Sequence, residues 1–258
     1  MNLGLKDKKI VVTGGASGIG KAIALDLCRE GAFPIIIDRD ESALLRLRKE
    51  IGDARIKTFV CDLSDCLETK QVISQINKIF GDEIYGLVNN AGVNDGVSLL
   101  DGISAFQASL QRNLIHYFQM TSGLMESIKK NQGSILNISS KVAETGQGGT
   151  SGYAAAKGAI NALTREWALE LAQYGVDVNC IVPAEVITPQ YEKWIKNESD
   201  SRKVRNILRK INLGKRLTRP EEVADFAIFL LSQRNTHTTG QLVFVDGGYT
   251  HLDDSTSV

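Results

Sequence analysis

Short apolar runs alternate with longer stretches of helical periodicity along most of the chain. The runs, rich in Val, Ile and Leu, fall at 10–13, 34–37, 57–61, 86–88, 134–138, 176–181 and 242–245. Between them, apolar residues return every three or four positions at 18–30, 41–51, 64–80, 105–130, 152–174 and 220–232. This alternation is typical of βαβ units, whose parallel strands are covered by helices on both faces. The sequence therefore predicts an α/β fold with a parallel sheet of seven strands.

Nothing in the sequence divides the chain into parts. It has 258 residues, a length that one α/β domain accommodates, and it contains no linker, repeat or low-complexity run. We therefore expect a single domain over 1–258. The stretch 190–213 departs from the rhythm, because it is charged and follows a strand at the edge of the sheet where ligands bind. It is either a lid over the substrate or a solvated surface excursion.

The charge balance and the cysteines exclude several classes of protein. The 30 Lys and Arg residues and the 30 Asp and Glu residues cancel, which leaves no basic excess for nucleic acid or an anionic membrane surface. The N-terminus lacks an apolar leader, and no apolar run is long enough to span a membrane. Without a C-x-x-C pair, the cysteines are predicted to be buried thiols, and the protein to be cytoplasmic. They are Cys28, Cys61, Cys66 and Cys180.

A glycine-rich loop follows the first strand and precedes the first helix. Residues 13–20 read T-G-G-A-S-G-I-G, with glycines at Gly14, Gly18 and Gly20. Such a loop turns tightly, brings its backbone N–H groups to a pyrophosphate and directs the positive end of the helix at it. The context predicts a dinucleotide site to which Ser17 and Ile19 also contribute.

The second strand indicates which dinucleotide binds. It ends in Asp38, whose carboxylate can accept hydrogen bonds from both hydroxyls of the adenosine ribose. A 2′-phosphate at that position would meet a like charge, and Ser17 provides no basic group in the loop. Arg39 softens that repulsion without removing it. We therefore expect NAD as the cofactor rather than NADP.

The third and fourth strands add further cofactor contacts. Asp62 and Leu63 follow the third strand beside the adenine, although Asp62 has the alternative role of capping a helix that starts at Ser64. The fourth strand runs into Asn90, Ala91 and Gly92, whose small side chains let the cofactor lie close to the backbone.

Ser140, Tyr153 and Lys157 carry the most specific signal. Twelve residues separate Ser140 from the run Y-A-A-A-K, and four residues make about one helical turn, so Tyr153 and Lys157 share a helix face. An ammonium near the phenol would lower its pKa from about 10 and make it a base for a substrate hydroxyl. Ser140 would hydrogen-bond the reacting oxygen. A hydride then passes between the carbon that bears this oxygen and the nicotinamide.

These motifs together resemble the short-chain dehydrogenase/reductase family over essentially the whole chain. The resemblance implies a Rossmann-type, doubly wound sheet and a homotetramer or homodimer packed through the helices at 105–130 and 152–174. It assigns Asn113 to the catalytic set, as the residue whose helix kink holds a water next to Lys157. It also implies that the segment beginning at Pro183 holds the nicotinamide carboxamide through Val186 and Thr188, with Ala184 where the family has glycine.

Several stretches are more similar to one subgroup, the bacterial L-fucose dehydrogenases. They lie at 88–96, 112–117, 137–153, 183–186 and 245–253. The likeness implies oxidation of the anomeric hydroxyl of L-fucose, or of a related pyranose such as L-galactose or D-arabinose, to the lactone. Polar residues suited to a sugar border the expected substrate site, each with the alternative of a surface or supporting role. With an aromatic residue that would cover a ring face or simply pack, they are Asn94, Lys141, Gln147, Glu185 and Trp194.

Other interpretations remain open. Within the family, the alternatives are a 3-oxoacyl-thioester reductase and a polyol or sugar-alcohol dehydrogenase. Outside enzymes, the alternative is a non-catalytic protein that senses NAD(H), although such proteins tend to lose the tyrosine or lysine that this chain keeps. The histidines His116, His237 and His251 do not meet other ligands at metal-binding spacing, so no metal is expected.

Overall fold

The computed structural model describes residues 2–197 and 201–252, with no side-chain description at 190, 194, 197, 201 and 203. Its centre is one seven-stranded sheet in the order β3-β2-β1-β4-β5-β6-β7, in which every neighbouring pair is parallel. The strands are β1 (Lys9–Thr13), β2 (Phe33–Asp38), β3 (Lys57–Val60), β4 (Ile84–Asn89), β5 (Ser134–Ile138), β6 (Asp177–Pro183) and β7 (Leu242–Val245). The order reverses between β1 and β4, which creates a crevice at the carboxyl ends of these strands.

Helices cover both faces of the sheet. They are α1 (Gly18–Arg29), α2 (Glu41–Ile51), α3 (Cys66–Phe80), α4 (Gly102–Leu110), α5 (His116–Lys130), α6 (Val142–Thr145), α7 (Ser151–Ala172), α8 (Pro189–Asn197), α9 (Ser201–Lys210) and α10 (Pro220–Leu231). Single 3-10 turns at Asp53–Arg55 and Gly81–Glu83 precede β3 and β4. The fold is the predicted single-domain, Rossmann-type α/β architecture.

The sheet separates two hydrophobic cores, and alternation along β1 shows how. Ile10 and Val12 face α1, α2 and α10, while Val11 between them faces α3, α5 and α7. All three side chains are fully buried. Because successive side chains of a strand point to opposite faces, an unbroken apolar run is what a sheet covered on both sides requires.

The predicted helix at 105–130 is interrupted. Residues Gln111–Ile115 form a π-helical turn between α4 and α5. A π turn leaves backbone groups without their usual partners and is found mostly at functional sites. Apolar periodicity does not register one added residue per turn, so the pattern alone predicted one continuous helix, whereas the family resemblance implied a kink at Asn113.

Two further local predictions were wrong. Helix α3 begins at Cys66 with Asp65 as its N-cap, whose Oδ1 accepts hydrogen bonds from the backbone N–H groups of Leu67 and Glu68. Asp62 and Ser64 therefore do not cap this helix. Cys66 is exposed, unlike the other three cysteines, because it lies in the first turn of α3 on the solvent side. Within the described chain, no helix is both long and apolar enough to cross a membrane.

The stretch 190–213 forms most of α8, all of α9 and the turn that follows, beside the crevice. Residues 198–200 within it lie outside the described chain. The expectation that this stretch acts as a lid stays a prediction.

Candidate active site

A cavity of about 1390 Å³ lies at the carboxyl edge of the sheet, where the strand order reverses. Loops after six of the strands contribute to it. Most of the predicted site residues line it: Gly14, Ser17, Gly18, Ile19, Asp38, Arg39, Asp62, Leu63, Asn90, Ala91, Gly92, Asn94, Ser140, Lys141, Gln147, Tyr153, Lys157, Pro183, Glu185, Val186 and Thr188. Gly20 and Asn113 lie directly behind its wall, and the side chain of Trp194 is outside the described residues.

The glycine loop forms one end of the cavity, and its glycine positions have no room for side chains. A Cβ on Gly20 would lie 2.3 Å from the carbonyl oxygen of Gly14, so only glycine permits this approach of loop and helix. Ser17 occupies the N-cap position of α1 but makes no side-chain capping bond. The first N–H groups of α1 thus remain available to an anion, as a pyrophosphate requires.

Asp38 is held rigidly at the end of β2. Its Oδ2 accepts a hydrogen bond from the N–H of Ala16 at 3.0 Å, and its Oδ1 accepts one from the N–H of Asp40 at 3.1 Å. These bonds tie the carboxylate to the glycine loop while it faces the cavity. The position suits the acceptance of further hydrogen bonds from ribose hydroxyls.

Asp62 is fixed in a similar way. Its Oδ1 accepts hydrogen bonds from the N–H and the hydroxyl of Ser64 at 2.9 and 2.7 Å. These bonds lower the pKa of Asp62 below its ordinary value. The carboxylate is therefore ionised at neutral pH and oriented toward the wall of the cavity.

Paired asparagines join β4 to its neighbours. Asn89 Nδ2 donates to Asn137 Oδ1 on β5 at 3.0 Å and to Thr121 on α5 at 3.1 Å. Asn90 Nδ2 donates to the carbonyl oxygen of Thr13 on β1 at 2.9 Å. These buried bonds fix the floor of the cavity at the point where the strand order reverses.

Tyr153 and Lys157 lie on one face of α7, as their spacing predicts. The Lys157 Nζ is 5.6 Å from the centroid of the Tyr153 ring. Ser140, which follows β5, lines the cavity beside Tyr153 and is close enough to oppose the rise in the pKa of that phenol. The structure therefore brings the three predicted catalytic side chains together at one place in the cavity.

The protonation of this pair differs from the expectation. Burial raises the pKa of Tyr153 to about 12, against the opposing effect of the Ser140 hydrogen bond and with added repulsion from Glu185 and Asp95. Burial also lowers the pKa of Lys157 to about 8. In the ligand-free protein, Lys157 does not bring the phenol to an acidic pKa, because desolvation of the phenolate outweighs the distant ammonium.

The ammonium of Lys157 has partners that the sequence did not predict. It donates to the carbonyl oxygen of Ile138 at 2.7 Å and to the hydroxyl of Tyr117 at 3.1 Å. The Tyr117 hydroxyl in turn donates to the same carbonyl at 2.9 Å. Tyr117 is fully buried on α5, and its position within an apolar helix face gave no sign of this role.

Asn113 lies in the π turn and connects it to the loop after β4. Its Oδ1 accepts a hydrogen bond from the N–H of Val93 at 2.7 Å, and its Nδ2 donates to the carbonyl of Ser109 at 3.0 Å. A Cβ on Gly92 would lie 3.1 Å from Asn113 Oδ1 and 3.5 Å from Lys157 Nζ. Glycine at this position thus lets the loop after β4 approach Asn113 closely.

A second bond network supports the same loop. Asp95 accepts hydrogen bonds from Ser109 at 2.9 Å and from two nitrogens of Arg112 at 2.6 and 3.1 Å. Sequence reasoning missed this anchor, because a loop residue gives no periodic signal.

His116 is buried, contacts the Arg112 carbonyl through Nε2 at 3.1 Å and borders the cavity. Burial lowers the pKa of His116 to about 4.

The far end of the cavity is polar. Lys141 and Glu185 form an ion pair with a 2.8 Å separation and side chains only 6% and 12% exposed. Asn94 and Gln147 lie exposed at the mouth. Among the described residues, no three His, Cys, Asp or Glu side chains form a group that could hold a metal ion.

The segment after β6 lies over the glycine loop. A Cβ on Gly18 would lie 3.0 Å from Thr188 Cγ2, and the Thr188 hydroxyl accepts a hydrogen bond from the N–H of Tyr191 at 3.2 Å. Among described non-glycine residues, positive φ angles occur at Asp7, Gln132 and Lys215. Ala184 therefore adopts no backbone conformation that favours glycine.

Known proteins resemble this chain over nearly its full length. The model of a family described as enoyl-(acyl carrier protein) reductase matches residues 14–250. The 3-oxoacyl-[acyl-carrier-protein] reductase FabG of Thermotoga maritima is 35% identical over 248 residues, 95% of this chain and 98% of that protein. The L-fucose dehydrogenase of Bos taurus is 34% identical over 244 residues, 93% of this chain and 88% of that protein. A crystal structure of Cj0485 dehydrogenase superposes with a TM-score of 0.91 at 42% identity and covers 98% of both chains.

The expected similarity to L-fucose dehydrogenases is therefore present, but it is seen with mammalian enzymes of that name rather than with bacterial ones. A reductase of acyl thioesters and a dehydrogenase of a sugar are similar to this chain to nearly the same degree. Overall identity thus leaves the substrate to be argued from the cavity itself.

Proposed function

This chain belongs to the short-chain dehydrogenase/reductase family, whose members are oxidoreductases with nicotinamide cofactors, and on that premise we propose that it oxidises the anomeric hydroxyl of a pyranose to the lactone with NAD. L-Fucose and the related sugars L-galactose and D-arabinose are the proposed substrates. The reaction removes a hydride from C1 and a proton from its hydroxyl. The ring carbon thereby becomes the carbonyl carbon of the lactone.

The proposed cofactor contacts follow the length of the cavity. The N–H groups at the start of α1, next to Ser17, would hold the pyrophosphate, and Asp38 would accept hydrogen bonds from the adenosine ribose. Asp38 and the neighbouring Asp40 place negative charge where NADP carries its 2′-phosphate, which supports NAD. Lys157 has a third donor beyond its two protein partners, and a ribose hydroxyl can accept it. When bound, the oxidised nicotinamide accepts the hydride.

Tyr153 is the proposed base. Its hydroxyl oxygen would take the proton of the sugar hydroxyl once it is ionised, and Ser140 would hold the sugar oxygen at the required distance. Asn113 supports the arrangement by fixing the loop that contains Gly92. Because burial opposes ionisation of Tyr153, positive charge close to the phenol is a requirement of the oxidation and not an accessory to it.

The observation that carries the assignment to a sugar is the buried pair of Lys141 and Glu185. An acyl chain placed against two buried charges would remove their remaining contact with water and offer no hydrogen bonds in return. A polyhydroxylated ring offers both donors and acceptors to the same groups. The charged wall therefore favours a sugar over the acyl thioester on which a FabG-type enzyme acts.

The helices named in the expectation of an oligomer have apolar side chains at the surface. Phe118 on α5 and Leu169 on α7 are 58% and 77% exposed. Their exposure supports the proposal of a homodimer or homotetramer packed through these helices.

Initial rates of NADH formation with L-fucose, L-galactose, D-arabinose, L-rhamnose and D-glucose test the proposal. Acetoacetyl thioester reduction, followed with NADH and NADPH, is the competing assay. We expect oxidation of L-fucose or D-arabinose, a higher kcat/KM with NAD than with NADP, and no comparable thioester activity. A preference for NADP would contradict the cofactor assignment, and efficient thioester reduction without sugar oxidation would contradict the substrate assignment.

Tyr153→Phe tests the assignment of the base. The substitution removes the proton carrier and keeps the ring, so kcat should fall by about 10²–10⁴-fold while NADH still binds. NADH fluorescence titration of the variant is the control for an intact cavity. Substantial retained turnover would show that Tyr153 is not the base.

A further inference from the structure

Lys141 and Glu185 form an ion pair beside the proposed reaction centre. Lys141 directly follows Ser140, and its backbone N–H donates to the carbonyl of Pro183 at 2.9 Å, so the backbone binds the segments after β5 and β6 together at this point. The side chains of the pair are almost completely buried. Removal of two charges from water costs several kcal/mol per ion, and a buried ion pair seldom repays this cost as stability alone.

Two tyrosines from other parts of the chain complete the surroundings of the pair. The ring of Tyr249, which follows β7, lies 4.2 Å from the Lys141 Nζ. Burial and the charge of Glu185 both raise the pKa of Tyr191, on α8, so its phenol lies close to that carboxylate. Four separate elements thus converge to hold one ammonium and one carboxylate in fixed positions at the wall of the cavity.

The charges of the pair are maintained in the folded protein. Burial acts to lower the pKa of Lys141, but Glu185 and Tyr249 together outweigh it and the pKa is raised. The ammonium therefore stays protonated, and it keeps hydrogen-bond donors beyond the one directed at Glu185. The carboxylate likewise has lone pairs beyond those used by Lys141.

An ammonium and a carboxylate oxygen at 2.8 Å offer one donor and one acceptor side by side. Hydroxyl groups on adjacent ring carbons present the matching acceptor and donor at a comparable spacing. Hydrogen bonds to ionised groups are stronger than neutral ones, so a sugar with this pair of hydroxyls gains more than one without it. Lys141 directly follows Ser140 in the chain, and Lys141 and Glu185 line the same cavity as Ser140 and Tyr153. Hydroxyls that contact the pair would therefore lie next to the reacting carbon.

We propose that Lys141 and Glu185 form a subsite for the two vicinal hydroxyls adjacent to the oxidised carbon, at C2 and C3 of the pyranose. This inference rests on the proposed function and adds a rule to it. Substrates must carry a free hydroxyl at C2, whereas the substituent at the far side of the ring contacts other groups or none. Tyr249 and Tyr191 are positioning residues that keep the pair in place.

Paired substrates test the subsite without changing the protein. D-Arabinose and 2-deoxy-D-ribose differ only in the hydroxyl at C2, and 2-deoxy-L-fucose provides the same comparison for L-fucose. The wild-type enzyme should show a kcat/KM about 10–100-fold lower for each deoxy sugar, as loss of one hydrogen bond to a charged group predicts.

Variants of the pair then show whether Lys141 and Glu185 cause this difference in kcat/KM. Glu185→Gln should lower kcat/KM for the complete sugar about tenfold or more and leave the deoxy sugar nearly unchanged, which reduces the discrimination between them. Glu192→Gln is the matched control, because Glu192 is an exposed carboxylate on the neighbouring helix α8 and does not border the cavity. A double variant, Lys141→Met with Glu185→Leu, replaces the pair with apolar groups, which buried ion pairs commonly tolerate. NADH titration shows whether each variant keeps an intact cofactor site.

The outcomes separate this inference from the proposed function. If the wild-type enzyme oxidises pyranoses but does not distinguish them from their 2-deoxy forms, the subsite is refuted and the proposed function stands. If Glu185→Gln lowers kcat/KM for the complete sugar and for the deoxy sugar by the same factor, the pair has only a structural role and the inference is likewise refuted. An enzyme that reduces acetoacetyl thioester and oxidises no sugar would refute both.

Discussion

Replacement of Tyr117 by Phe isolates the role of one buried hydroxyl. The hydroxyl accepts a hydrogen bond from Lys157 Nζ at 3.1 Å and donates to the Ile138 carbonyl at 2.9 Å. Phe keeps the ring, so packing around α5 is preserved. After the change, Lys157 retains the Ile138 carbonyl as its protein partner at this position.

The expected effect is a lower pKa of Lys157. Burial already lowers that pKa to about 8, and the bond to Tyr117 favours the charged form. A hydrogen bond to a charged group contributes about 1.5–3 kcal/mol, and one pKa unit corresponds to about 1.4 kcal/mol. Tyr117→Phe should therefore lower the pKa of Lys157 by about one to two units, so that the ammonium loses its proton near neutral pH.

The measurement uses the ligand-free protein and requires no activity. In protein labelled at the lysine Cε, NMR should show one resonance that titrates near pH 8, absent from a Lys157→Met variant. In Tyr117→Phe the same resonance should titrate at lower pH. Tyr85→Phe removes another buried phenol hydroxyl, away from the cavity, and should leave the titration unchanged. An unchanged midpoint in Tyr117→Phe, or an equal shift in Tyr85→Phe, would refute the reasoning.

Two further substitutions test other parts of the account. Gly92→Ala should lower kcat by up to about 10²-fold with little loss of stability, because its methyl group would lie 3.1 Å from Asn113 Oδ1 and displace that side chain by tenths of an ångström. Steady-state rates with thermal unfolding check this, and an unchanged kcat would contradict it. Burial raises the pKa of Asp177 to about 7, so the folded protein binds this proton more tightly than the unfolded chain between about pH 4 and 7. The free energy of unfolding should therefore fall as pH rises through that window, by at most about 4 kcal/mol, and Asp177→Asn should remove the fall in urea titrations; a wild-type curve without it would show that the carboxyl is ionised throughout.

The fold and the placement of the main site residues were accessible from the sequence for a physical reason. A sheet covered on both faces needs unbroken apolar strands, and the interiors of all seven strands were found, with 134–138 and 242–245 matching β5 and β7. Strand ends were less accurate. Ladder hydrogen bonds continue through polar residues such as Asp38 and Asn89, which apolar patterning does not include.

The parts of the site that the sequence did not reveal depend on contacts between distant residues. Tyr117 and Lys157 are 40 positions apart, and Asp95 and Arg112 are 17 apart. Each lies in a position whose local pattern has an ordinary explanation, such as a helix face or a polar loop. The π turn at Asn113 likewise gives no signal in the residue pattern, since it alters backbone bonding without a change in residue type. Only the family resemblance implied a kink there.

The relation between Tyr153 and Lys157 shows how much of a site can be inferred from residue spacing. A four-residue interval places the two side chains on one face of α7, and the structure agrees. The interval does not determine where a long flexible side chain ends. The ammonium of Lys157 donates to the Ile138 carbonyl and the Tyr117 hydroxyl rather than to the hydroxyl of Tyr153. With its pKa at about 12, Tyr153 is a neutral proton donor near pH 7, which is the state needed for reduction of a carbonyl. The proposed oxidation needs the phenolate, so in that proposal positive charge must accumulate around Tyr153 before the proton of the substrate hydroxyl can move. The ionisation of Lys157 near pH 8 sets part of that charge. The pH dependence of the rate in each direction therefore depends on the electrostatics of α5 and β5 as well as on the motif in α7.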